Sequence, residues 1–170
     1  HQEYESHFAF QYLAVFYPKI MNKFLDTYIR PRKKVFIGST PQETAEKLYG
    51  PIDVYVNIPA RHAYDSIDEW WPAIRDQIDQ VALVIPSAGA ASNIISKRLW
   101  NMDARVQLID IGSIVDALEE KRSRIWIRLQ GHKIKRILPK PYRDEIFTNP
   151  LQNAVHEVKY LFRRYVKRYL

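Results

Sequence analysis

The run V-A-L-V-I-P-S at residues 81–87 is apolar up to its last residue and passes straight into A-G-A-A-S. A strand with one wet face alternates apolar and polar residues, so a strand with no polar position must be covered on both faces. Parallel sheets between two helical layers meet that condition, and each parallel pair needs a crossover of about a dozen residues or more. The chain supplies the crossovers. Short apolar runs at 35–39 (V-F-I-G-S), 52–59 (I-D-V-Y-V-N-I-P), 81–87 and 105–112 (R-V-Q-L-I-D-I-G) alternate with helical patterns. The alternation predicts an α/β fold with a mostly parallel sheet and helices on both faces.

The helices between the runs carry start and stop signals. Thr40 reads as an N-cap with Pro41 at N1 and Glu43 at N3, and Gly50-Pro51 ends that helix. Ser66 and Glu69 form the pattern of a capping box before I-D-E-W-W-P-A-I-R-D-Q-I, in which Pro72 is placed to kink the helix. Residues 89–101 follow the third strand as a helix, and G-S-I-V-D-A-L-E-E from 112 makes a short one. Upstream, apolar residues at Phe8, Leu13, Phe16, Ile20, Phe24 and Leu25 predict a helical segment over 3–29 that Pro18 divides. R-I-W-I-R-L at 124–129 alternates charged and apolar residues and predicts an edge strand. A Pro-rich loop then leads to a last helix at 151–170. The expected organisation is a single domain over 1–170: an N-terminal helical segment at 1–32, a sheet core at 33–130, and a basic loop with a C-terminal helix at 131–170.

Charge separates these parts. Residues 1–120 hold 12 Lys/Arg and 16 Asp/Glu, whereas residues 121–170 hold 14 Lys/Arg and 3 Asp/Glu. A basic third on a balanced body predicts an anionic partner there, the plain alternative being a solvated surface. There is no cysteine, which excludes disulfides and thiolate chemistry, fits a reducing compartment and leads us to expect a cytoplasmic location. No apolar stretch of about 18 residues is present, so no transmembrane segment is expected. H-Q-E-Y-E-S-H-F lacks the pattern of a signal peptide, and without an initiating Met the chain is expected to belong to a longer one or to an oligomer. The histidines form no H-E-x-x-H cluster, and no G-x-S-x-G elbow occurs, so a zinc enzyme or a serine hydrolase is not expected.

The strand ends hold the candidate sites, because open α/β sheets take ligands there. Ser87, Gly89, Ala90 and Ser92 lie in a loop of small residues before a helix, where backbone N–H groups suit a phosphate or diphosphate; close strand–helix packing would need the same residues. Asp110, Gly112, Ser113 and Asp116 follow the fourth strand. Asp110 or Asp116 could bind ribose hydroxyls, hold a divalent metal or act as base, while Ser113 and Asp116 could equally cap a helix. After the second strand come Arg61, His62, Tyr64 and Asp65: an aromatic ring to stack on a base, and an imidazole and a carboxylate for acid–base work, or an ordinary polar loop. Gly38-Ser39-Thr40 ends the first strand, where capping explains it. Of Arg122, Arg124 and Arg128, Arg124 is the one placed to pair with phosphate; all three also suit a solvated edge. The 151–170 helix carries one apolar stripe and a basic face, which reads as packing with a solvated side or as a contact for a membrane surface or nucleic acid.

The order V-F-I-G, N-I-P with its aromatic loop, W-x-x-I, V-A-L-V-I-P-S-A-G-A-A-S-N-I-I-S-K-R-L, L-I-D-I-G-S-I-V-D-A-L and S-R-I-W-I resembles the GT-D glycosyltransferase family over roughly residues 33–128. Asp110-Ile111-Gly112-Ser113 with the trailing Asp116 is the most specific part. The resemblance implies a Rossmann-like domain that binds a nucleotide-diphosphate sugar, often UDP-linked, and transfers the sugar. It implies that the 87–92 loop receives the diphosphate, that Asp110 and Asp116 lie beside the sugar or its Mg²⁺ or Mn²⁺, and that the 61–65 loop lies near the base or sugar. Family members usually carry an acidic G-D-G-E-like motif near the N-terminus, which Glu3 and Glu5 do not reproduce. The expected function is therefore a glycosyltransferase with Asp110 as base and Asp65 in reserve. Its acceptor would be anionic: nucleic acid, a phosphorylated glycan or a lipid-linked sugar. The alternative is a non-catalytic module that binds a nucleotide or nucleic acid within a larger assembly.

Overall fold

The computed structural model describes residues 9–119 and 124–143, together with Val155 and Val158. Four parallel strands form one sheet in the order β2-β1-β3-β4: β1 (Lys34–Gly38), β2 (Val54–Asn57), β3 (Leu83–Ser87) and β4 (Gln107–Leu108). β1 pairs with β2 from Val35 opposite Val54 to Gly38 opposite Asn57, and with β3 from Lys34 opposite Leu83 to Gly38 opposite Ser87. The α/β fold with a parallel sheet and helices is thus observed. β4 is shorter than the 105–112 run, though the Ile109 N–H still donates to Val84 O at 2.9 Å.

Both faces of the central strands are buried, as the apolar runs require. Val35, Ile37 and Val84 face one core, with α4 (Ile67–Arg75) and α5 (Ala91–Asn101) contributing Trp70, Trp71, Ile74, Ile95 and Leu99. Phe36, Leu83 and Ile85 face the other, against α3 (Gln42–Tyr49) and residues from α2 (Pro18–Phe24) and from 112–138. Successive strand residues point to opposite faces, so one uninterrupted apolar run feeds two cores.

The N-terminal segment is divided at Pro18 as expected. α1 (Ala9–Phe16) ends before it, and Pro18 opens α2, which continues into a π-helical turn at Leu25–Ile29. The basic turn that follows is structural in part. Arg30 donates to Leu48 O at 3.1 Å and to Ile137 O at 2.7 Å, and buried Lys34 donates through Nζ to Pro51 O at 2.7 Å.

Three local expectations are overturned. Residues 124–129 are not an edge strand: α6 (Ile125–Gln130) is a helix that runs into a 3-10 segment at Gly131–Ile137. Ile127, Gly131, Ile134 and Ile137 are buried at helical spacing, so the period extends across a boundary that a six-residue window hides. Thr40 does not cap α3. Pro41 occupies the N-cap, and the buried Thr40 Oγ1 donates to Glu119 Oε2 at 2.6 Å. Ser66 precedes α4 without a side-chain cap bond, so the capping box does not form; Pro72 lies inside that helix, three residues before its end. The expected 151–170 helix and Arg122 lie outside the described residues, except that Val155 and Val158 are helical.

Candidate functional site

The order β2-β1-β3-β4 places β1 and β3 side by side although the chain visits β2 between them. The loops leaving β1 and β3 therefore diverge, and a crevice opens at the strands' C-terminal ends. A cleft of about 1070 Å³ occupies that place. Its lining comes from the ends of all four strands: Ser39 after β1, residues 58–60 and 62–65 after β2, 87–93 after β3, and Asp110, Gly112, Ser113 and Asp116 after β4.

The candidate site residues from three strand ends, Arg61 excepted, line this one cleft. The β3 wall supplies Ser87, Gly89, Ala90 and Ser92; the β4 wall supplies Asp110, Gly112, Ser113 and Asp116; the β2 wall supplies His62, Tyr64 and Asp65. Arg124 closes the ring from the residue before α6.

On the β3 wall the chain turns through Gly89, whose φ of +56° is costly for a residue with a Cβ. A Cβ there would meet nothing within 4 Å, so the glycine answers a backbone need and leaves the cleft open. The expected free N–H groups at the start of α5 are partly engaged: Ala91, Ser92 and Asn93 donate to Ala88, Gly89 and Ala90 carbonyls at 3.2, 3.0 and 3.3 Å. Ser92 Oγ, by contrast, is buried and meets no partner among the described residues.

The β4 wall is a closed turn. Asp110 Oδ1 accepts the Gly112 N–H at 2.7 Å, and Gly112 has φ +67°. Ser113 has a non-helical backbone inside the segment Gly112–Glu119, and its Oγ accepts a hydrogen bond from Trp126 Nε1 at 3.2 Å. Asp116 follows about one turn later in the 3-10 segment Gly112–Glu119. Buried Tyr49 lies close enough for both carboxylates to act on it: burial first, then the charges of Asp110 and Asp116, raises its phenol far above the ordinary range, so it stays protonated.

The β2 wall is open to solvent. His62 Nδ1 lies 3.8 Å from Asp65 Oδ2, with both side chains mostly exposed, and Tyr64 is exposed as well. The loop is held by Trp70 Nε1, which donates to Ala63 O at 3.2 Å. Arg61 is exposed and lies outside the cleft lining.

Two cleft residues were not anticipated. Gln11 reaches the cleft from α1, and Trp126 from α6. Gln11 had a signal: it is the one non-aromatic polar residue in the stretch F-A-F-Q-Y-L-A-V-F at 8–16. Trp126 had none while its segment read as an edge strand.

Among the described residues three carboxylates and one guanidinium line the cleft, so these side chains would meet a polyphosphate with net negative charge unless a divalent cation came with it. Among the described residues no group of three or more His, Asp or Glu is placed to hold a metal. Two carboxylates on one wall suit Mg²⁺ or Mn²⁺ completed by phosphate oxygens and water rather than a cage built by protein alone. Among the described residues no helix is long and apolar enough to cross a membrane. No protein-family model, curated protein or solved structure matches the chain.

Proposed function

We propose that the cleft binds a nucleotide-diphosphate sugar and that the protein transfers the sugar to an acceptor hydroxyl. One observation carries this reading: the small-residue loop and the Asp110-Ile111-Gly112-Ser113 turn, 18 or more residues apart in the chain, face each other across a single cleft at the point where strand order reverses. At about 1070 Å³ the cleft lies just above the volumes, about 300–1,000 Å³, that hold most small-molecule ligands, and a sugar nucleotide is a large one.

In this reading the 87–92 loop receives the diphosphate, with Ser92 Oγ as a donor to a phosphate oxygen. Arg124 adds a charged contact, and Tyr64 offers a face for the base. Asp116 would hold Mg²⁺ or Mn²⁺, which would offset the diphosphate charge and stabilise it as a leaving group, with phosphate oxygens and water completing the shell. Asp110 is the base, acting through the oxygen that the Gly112 N–H does not engage. As it takes the acceptor's hydroxyl proton, the acceptor oxygen bonds to the anomeric carbon, the bond from that carbon to the phosphate oxygen breaks, and its electron pair leaves with the diphosphate. Asp65 is the weaker choice because its side chain is mostly in solvent.

A second reading keeps the cleft without the transfer: a nucleotide- or nucleic-acid-binding module. It is favoured by residues 124–143, which carry seven Lys/Arg and no Asp or Glu. Phosphate contacts release counterions, so such binding would weaken steeply with salt. The same surface suits an anionic acceptor under the first reading.

The test is a thermal-shift panel of UDP-, GDP-, CMP- and dTDP-sugars with and without Mn²⁺. A ligand at about 100 times its Kd stabilises the folded state by about 2.7 kcal/mol. A shift for one nucleotide that weakens in Asp110→Asn supports the donor site. No shift at millimolar ligand, with salt-sensitive nucleic-acid binding in its place, establishes the module.

A further inference from the structure

We propose that Gln11 accepts a hydrogen bond from a hydroxyl of the donor's sugar ring and so helps to select which sugar binds. The inference rests on the donor-site reading and extends it to a residue of α1, a helix outside the sheet core. Gln11 is 8% exposed, lines the cleft, and has an Oε1 that is buried without a partner among the described residues. Its carboxamide packs against the turn after β4, where a Cβ on Gly112 would stand 3.0 Å from Gln11 Nε2.

A buried acceptor left unmade is costly, and a helix that is otherwise apolar around this position would fold more readily with Leu there. Native structures keep such a group where a ligand completes it. The chemistry of that ligand part follows from the atom: a carboxamide oxygen takes an O–H or N–H and repels phosphate oxygens, which offer only lone pairs. Ser92 Oγ, the other buried group on the cleft without a partner, can donate, and it sits on the phosphate wall. The two groups thus suit the two halves of one molecule. Gln11 stands beside Gly112, on the wall assigned to the sugar.

The test compares wild type with Gln11→Leu and Gln11→Met, both of which remove the acceptor at similar volume. Affinities are measured by calorimetry for UDP-, GDP- and dTDP-sugars, each beside its free nucleoside diphosphate, and Tm is measured without ligand. The expected result is an unchanged or raised Tm, an affinity for the sugar nucleotide about tenfold weaker, and an affinity for the free diphosphate unchanged within about twofold. Equal affinity for the sugar nucleotide in wild type and both variants overturns the inference while the donor site stands. Parallel loss for sugar nucleotide and free diphosphate overturns it by assigning Gln11 to the nucleotide half. A fall in Tm in both variants overturns it by making Gln11 structural. Failure of wild type to bind any nucleotide overturns the donor-site reading and this inference with it.

Discussion

Trp126 Nε1 donates a hydrogen bond to Ser113 Oγ at 3.2 Å, and both residues line the cleft. The bond joins α6 to the turn that presents Asp110. It also gives a physical reason for the helix at 125–130: the indole reaches Ser113 while Ile127 enters the core. Trp126→Phe keeps most of the ring and removes the donor, so a loss of about 0.5–1.5 kcal/mol is expected. Ser113→Ala should cost a similar amount. In urea titrations the double variant should lose clearly less than the two single losses together. Strict additivity would show that the bond contributes nothing.

Asp110 has two separable roles, an acceptor for the Gly112 N–H and a charge in the cleft. Asp110→Asn keeps a side-chain oxygen for the turn, and its Tm should stay within a few degrees of wild type. Under the proposed mechanism its transfer rate should fall by about 10²–10⁴, the usual worth of a general base. Asp110→Ala should lose both, with an added stability cost of about 1–3 kcal/mol for the orphaned N–H. Equal transfer by Asn and wild type would remove Asp110 as the base.

Gly89→Ala isolates backbone strain, because a Cβ there meets nothing within 4 Å while φ stands at +56°. The expected cost is about 1–2 kcal/mol, the left-handed penalty for a residue with a Cβ. Gly89 lines the cleft, so under the proposed function the added methyl group would stand beside the diphosphate. Nucleotide affinity, measured by calorimetry on the folded variant, should fall as well. A variant as stable as wild type would mean that the loop relaxes out of the left-handed region.

His132 makes stability depend on pH. Burial first, then Lys133, Arg136 and Lys135, holds its pKa below the ordinary 6.5. As pH falls, the unfolded chain takes up this proton before the folded one does. Stability is therefore full above about pH 6.5 and declines as pH drops toward the folded value. Melting curves between about pH 7.5 and about pH 5 should show this decline, and His132→Gln should flatten it. An unchanged profile in the variant would assign the acid sensitivity to other groups.

The parallel sheet was legible because 81–86 has no polar position to turn toward water, and the small and acidic residues that end the runs marked the edge where the cleft opens. Asp110, Asp116, Ser92 and Tyr64 were found in this way, one strand end at a time. What the runs could not convey was the strand order. Only pairing β1 with both β2 and β3 makes the loops part, and that opens one cleft rather than leaving four separate loop ends. Local spacing also misled at 124–129, where alternation over six residues imitates a strand and the burial of Ile127, Gly131, Ile134 and Ile137 favours a helix.

The sequence by itself determined the α/β class and the identity of most cleft residues, because side-chain periodicity and small-residue strand ends are local properties. Tertiary structure alone decided that Thr40 reaches Glu119 instead of capping α3, that Ser113 serves Trp126, and that Gln11 joins the cleft. Those outcomes depend on partners 79, 13 and about a hundred residues away, which packing brings together and which no local window contains.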